Sequence, residues 1–235
     1  MLSLDLRVTS RVNSGPKFSD SRQDAVIIAV LTLPFLLNDF ANIFVSDYRF
    51  WLVVDYALVK ALPLGVILYL LRVRTISYSD LGIKRLRFGW FIIWTFTMTV
   101  LGIVLDQFGS RFFESLLPDT RLGGIPPITN PLVAKIDLYL GLALVAVVEE
   151  LIFRGLYYTI LSRYFPSRIV VFGISALAFG LIHWSIGLNA IIHTALVGAV
   201  FMICIWKTGS VLPAIFAHFL VNYVAFSGVL TSFAP

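Results

Sequence analysis

The sequence predicts an all-α fold, a polytopic membrane helical bundle of about seven transmembrane helices. Three observations predict it. Of 235 residues, 59% are hydrophobic and only 13% are charged, against about 25% charged in a soluble globular chain. The apolar residues gather into stretches of roughly 20, the length that crosses ~30 Å of hydrocarbon. Connections rich in Gly, Pro or Arg separate these stretches. A water-soluble globule is excluded. Cys204 is the single cysteine, which also excludes an intramolecular disulfide framework or a cysteine-based zinc knuckle.

Residues 1–24 are polar, mixed in charge and interrupted by Gly15-Pro16, so they read as a cytosolic tail without the pattern of a cleavable signal peptide. Seven spans follow, at approximately 25–46, 50–71, 88–107, 140–163, 168–184, 188–206 and 211–230. The segment 108–139 contains Pro118, Gly123-Gly124, Pro126-Pro127 and Pro131. It is expected to be a connecting loop leading into an interfacial start of the fourth helix. The chain therefore divides into the tail, amino-terminal helices with their loop over 25–139, and a helical core over 140–235.

The net charge is +5, from 18 Lys and Arg against 13 Asp and Glu. In a membrane protein such an excess belongs to cytoplasmic loops rather than to a nucleic-acid partner, and none is expected. With the amino terminus inside, the inner segments hold Arg7, Arg11, Lys17, Arg22, Arg72, Arg74, Lys84, Arg85, Arg87, Arg163, Arg168 and Lys207. The outer ones hold Arg49, Arg111 and Arg121, with Lys135 near the boundary. This asymmetry predicts a cytoplasmic amino terminus and, with seven spans, an external carboxyl terminus.

An ionisable residue inside the bilayer costs ~2.5 to 3.5 kcal/mol on insertion scales, so each is a functional candidate until explained. Asp39, Asp55 and Lys60 are expected to pair with each other or to snorkel. His193 is expected to pack or to hydrogen-bond between helices, and Cys204 to act as a small hydrophobe. Glu149-Glu150-Leu151-Ile152-Phe153-Arg154 resists such explanations. Arg154 stands four residues after Glu150, on its helical face, and can neutralise it. Glu149 points about 100° away at 3.6 residues per turn and is left free to face something else.

Phe179-Gly180-Leu181-Ile182-His183 on the fifth helix and His218-Phe219-Leu220-Val221-Asn222 on the seventh add three more polar groups. With cytoplasmic ends near Arg163, Arg168 and Ser210, Glu149 and His183 lie at depths of ~21 and ~22 Å and Asn222 at ~18 Å, with His218 about a turn nearer the cytoplasm. Groups from three helices can meet at one level. Paired half-sequences with broken helices, the mark of many transporters, are missing, which disfavours a proton-coupled carrier.

Glu149-Glu150-x-x-x-Arg154, Phe179-x-x-x-His183 and His218-x-x-x-Asn222, in this order on hydrophobic helices, resemble the three motifs of the CPBP family of intramembrane proteases. That family includes the Rce1-type CAAX prenyl endopeptidases and the Abi proteins. The resemblance covers roughly residues 140–225, and Phe153-Arg154-Gly155 and Thr208-Gly209-Ser210 share in it. It implies an integral-membrane endopeptidase in which Glu149 activates water with help from His183 while His218 and Asn222 stabilise the oxyanion, with Glu150 and Arg154 in support. No cofactor is the favoured expectation; the alternative is zinc on Glu149, His183 and His218, a His2Glu set with an open position for water. The expected partners are membrane lipid and a peptide or protein substrate, lipid-modified or membrane-anchored. The expected location is the plasma (inner) membrane of a prokaryote. A non-catalytic immunity or interaction protein of the same fold is the competing reading.

Overall fold

The computed structural model describes residues 21–229; of the tail expected over 1–24, residues 1–20 lie outside them, and residues 21–24 form the first turn of a helix. Seven helical rods follow one another: α1 Ser21–Phe44, α2 Tyr48–Arg72, α3 Phe88–Leu116, α4 Pro131–Tyr164, α5 Arg168–Leu181, α6 Leu188–Thr208 and α7 Leu212–Ser227. The first four and α6 are long and apolar enough to cross a membrane, while α5 and α7 are shorter apolar helices. The outer surface of the bundle stays greasy, with Phe88, Phe96, Phe112, Leu177 and Ile169 exposed. In water such a surface would aggregate, whereas lipid satisfies it. The chain is an integral membrane protein built as a polytopic helical bundle.

Two boundaries depart from expectation. Residues 108–139 are not one loop, because α3 runs on to Leu116 and α4 begins at Pro131. The breakers are confined to 117–131, and Pro131 occupies the first turn of α4, where its missing N–H removes no hydrogen bond. Asn130 caps that turn, its side chain accepting from Leu132 N at 3.0 Å and Val133 N at 3.2 Å. The fifth helix stops at Leu181, so His183 lies past its end in a turn instead of on the helix.

The long rods are not uniform α-helix. Wider π-helical turns occur at Tyr56–Ala61 in α2, Leu105–Gly109 in α3, and Asp137–Gly141 and Glu150–Leu156 in α4. Such turns are rare and gather at functional sites. In α4 the last of them begins at the second carboxylate of the pair.

Rod α4 is the axis of the bundle, packed against α1, α2, α5, α6 and α7. One apolar cluster around it joins Leu31 and Phe35 of α1, Ile67 of α2, Phe153 and Ile160 of α4, and Met202 of α6. A second joins Met98 of α3, Phe201 of α6, and Ala214, Ala217 and Val221 of α7. Small residues set the close approaches, as expected where helices associate in lipid. A Cβ on Gly155 would strike the carbonyl oxygen of Leu81, so glycine there lets the α2–α3 connection press onto α4.

Candidate active site

Glu149 is the last residue of the α-helical part of α4 and Glu150 the first of its π turn. Both are buried, and their environments differ. Glu150 is fully enclosed, with Oε1 3.2 Å from Arg154 Nη1 across the expected four-residue spacing. Glu149 faces a cavity of about 680 Å³.

The Arg154 guanidinium is itself enclosed and finds Glu150 as its only carboxylate partner among the described residues. It stacks 3.8 Å from the ring centroid of Phe179 and 5.7 Å from that of Phe201. A cation deep in a greasy bundle gains from the negative face of an aromatic ring. Phe179 therefore serves as a shelf for the cation beneath Glu150, and Gly198 leaves the room: its added Cβ would sit 3.1 Å from Phe179 and 3.3 Å from Arg154 Nη2.

His218, on α7, presents Nδ1 to Glu150 Oε1 at 2.8 Å. A carboxylate can only accept, so Nδ1 carries the proton and Nε2 is directed away from Glu150. Nε2 lies 3.7 Å from Glu149 Oε2. Asn222, one turn further along α7, lines the same cavity.

His183 reaches the cavity from the turn after α5. Its Nδ1 lies 2.9 Å from the carbonyl oxygen of Phe179, which fixes Nδ1 as donor and leaves Nε2 with a free lone pair. The turn is held from behind by Asp39, which was expected to pair with Asp55 or Lys60 or to snorkel, together with Asn42, for which nothing was expected. Asp39 Oδ2 accepts from Ser185 N at 2.7 Å. Asn42 donates to Asp39 Oδ1 at 3.1 Å and to Ser185 Oγ at 2.9 Å, and it accepts from Trp51 Nε1 at 2.8 Å. Spacing alone gave no sign of this buckle, because its members come from α1, α2 and the turn after α5.

Asp55, Lys60 and Cys204 match their simple readings, whereas His193 makes its hydrogen bond within its own helix and lines the cavity. Asp55 and Lys60 form a buried ion pair on the cavity wall. His193 bonds Asn189 O at 2.9 Å and stands 3.8 Å from Asp106 of α3. Cys204 is buried among apolar neighbours. Among the described residues no three His, Cys, Asp or Glu side chains are grouped so that they could hold a metal ion.

Glu149, His183, His218 and Asn222, drawn from α4, α7 and the turn after α5, thus border one chamber. The wall of that chamber is mainly apolar, and it also carries Asp39, Asp55, Lys60, Asp106, Asp137 and His193. No curated protein and no solved structure matches the chain. Residues 132–224, which contain all four of these side chains, match the family model described as Type II CAAX prenyl endopeptidase Rce1-like.

Proposed function

We propose that the protein is an endopeptidase that hydrolyses a peptide bond near or within the bilayer with a water activated by Glu149 and His183. The observation that carries this reading is the meeting of Glu149, His183, His218 and Asn222 on one cavity while Glu150 and Arg154 stay sealed behind it. Amide hydrolysis needs a base in reach of a water and donors aimed at the charge that develops on the carbonyl oxygen.

Each residue then has a task. Glu149 takes a proton from water, with the Nε2 lone pair of His183 holding that water in line. The oxygen of the water bonds to the carbonyl carbon, and the carbonyl electron pair moves onto oxygen. His218 donates Nδ1–H to Glu150 and assists the new oxyanion only when Nε2 also bears a proton, and the Asn222 amide supplies a donor that needs no added proton. The proton held by Glu149 passes to the departing amine as the carbon–nitrogen bond breaks. No protein nucleophile and no metal enters this route.

Glu149→Gln tests it. The substitution keeps the shape and removes the base, so proteolysis should vanish while the purified protein keeps its yield and melting behaviour. Undiminished turnover in Glu149→Gln would end the proposal.

A further inference from the structure

The cavity occupies one end of the bundle. Its lining starts at Glu149 and His218 and runs out past Ala190 and Asp137 to Ile125 and Pro127 of the α3–α4 loop. That loop is strapped across the same end, with Leu122 N bonded to Ser185 O and Gly124 N to Asn42 O, each at 2.9 Å. Ile125 is exposed at its crest.

The opposite end is closed. There the α2–α3 connection plugs the bundle with the fully buried Leu81. Thr159 Oγ1 bonds Asp80 O at 2.9 Å, Ser210 Oγ bonds Lys84 O at 2.7 Å, and Val211 N bonds Gly82 O at 2.9 Å. Gly82 makes this fit possible, since its φ of +69° favours glycine and an added Cβ would lie 2.7 Å from Ile205. A peptide arriving from this end would have to unseat the plug.

The plugged end is also the basic one. Arg72, Arg74, Lys84, Arg85 and Arg87 cluster in and beside the plug, and Arg163, Arg168 and Lys207 flank the other two connections there. The cavity end has Arg49, Arg111, Arg121 and Lys135 spread over longer stretches. Short loops rich in Lys and Arg stay in the cytoplasm, so the plug faces the cytoplasm and the cavity faces away from it.

We propose that the site is fed from the non-cytoplasmic side, and that its substrate class is an exported peptide or the outward-facing stretch of a membrane-anchored chain. This rests on the endopeptidase reading of the site. A peptide carried only on the cytoplasmic face would meet the plug.

Single cysteines read the geometry without any need for activity, because the native Cys204 is buried. Ile125→Cys should react with a membrane-impermeant maleimide added to intact cells, and Ser79→Cys only after the membrane is opened. The opposite pattern overturns the proposal. The substrate side is then read by selecting, with detergent-solubilised protein, the best-cleaved member of a randomised quenched-peptide library. Sealed right-side-out vesicles should cut that peptide from the bath, and inside-out vesicles only once permeabilised. Cutting by sealed inside-out vesicles alone overturns the access side and leaves the endopeptidase standing. If no library member is cut in detergent, the endopeptidase reading fails, and with it the substrate class. The cysteine pattern then decides the facing of the cavity by itself.

Discussion

The imidazole of His218 and the carboxylate of Glu150 meet at 2.8 Å, between a residue of α7 and one of α4 that are 68 positions apart in the chain. This bond makes Glu150 the link between two parts of the site. On one side it balances Arg154, and on the other it sets which nitrogen of His218 bears the proton that the cavity does not see. The sealed pair behind the site thus reaches the chemistry through one hydrogen bond.

An asymmetry between the members of that pair follows. Removing one partner of a buried ion pair costs ~3 to 5 kcal/mol, mostly because the other charge is left uncompensated. In Glu150→Gln the Arg154 cation keeps only ring faces, so the full penalty falls on the fold. In Arg154→Met the Glu150 carboxylate still has the His218 N–H, so the penalty is smaller. Thermal unfolding in one detergent should therefore rank wild type above Arg154→Met and Arg154→Met above Glu150→Gln. Equal losses would mean that His218 does not share the charge of Glu150.

Asp39 supplies a second expectation, because it touches neither water nor peptide in the proposed reaction and acts through the Ser185 amide. Asp39→Ala frees the turn that carries His183, and misplacing a catalytic group by about 1 Å can cost ~10² in rate. The expected result is a fall in kcat of up to about that size with KM little changed. Asp39→Asn retains an oxygen that accepts from Ser185 N, while its NH2 faces the Asn42 amide donor, so it should recover part of the rate lost in Asp39→Ala. A failure of Asp39→Asn to rescue would assign Asp39 a charge-dependent role instead of a positioning one.

Metal dependence separates the proposed route from the zinc alternative on Glu149, His183 and His218. Prolonged dialysis of the detergent-solubilised protein against a strong chelator should leave proteolysis unchanged. Elemental analysis should find far less than one zinc per chain. Zinc near stoichiometry, with activity lost on removal and regained on addition, would make the two histidines ligands and displace the glutamate-only mechanism.

What could be read from the chain beforehand was whatever depends on spacing within one helix. Glu150 with Arg154, and His218 with Asn222, follow from the geometry of a single turn. The common depth of the polar groups follows from rise per residue. What could not be read depends on which faces of separate helices meet. The His218–Glu150 bond, the Phe179 shelf under Arg154 and the Asp39 buckle behind His183 are all of this kind. The π turn at Glu150–Leu156 was hidden for another reason, since an apolar helical run gives no local sign of one widened turn. The docking of the α2–α3 plug had one trace in the sequence, Gly155 directly after Arg154, which only the approach of Leu81 O explains.

Asn222 gives the most specific test of how the intermediate is held. It lines the cavity one turn beyond His218, and its amide can donate a hydrogen bond without titrating. Removing one oxyanion donor from a water-poor site costs ~10² to 10³ in rate. Asn222→Ala should therefore lower kcat by about that factor and barely move KM, because the interaction grows only as the tetrahedral intermediate forms. Its fractional loss should be the same across the working pH range, unlike losses from changes at Glu149 or His183, whose tasks need one protonation state. Asn222→Asp should be worse than Asn222→Ala, since an ionised carboxylate has no donor and repels the developing charge. If Asn222→Ala instead raised KM at constant kcat, the amide would be gripping the substrate before reaction, and the second oxyanion donor would have to be sought elsewhere on the cavity wall.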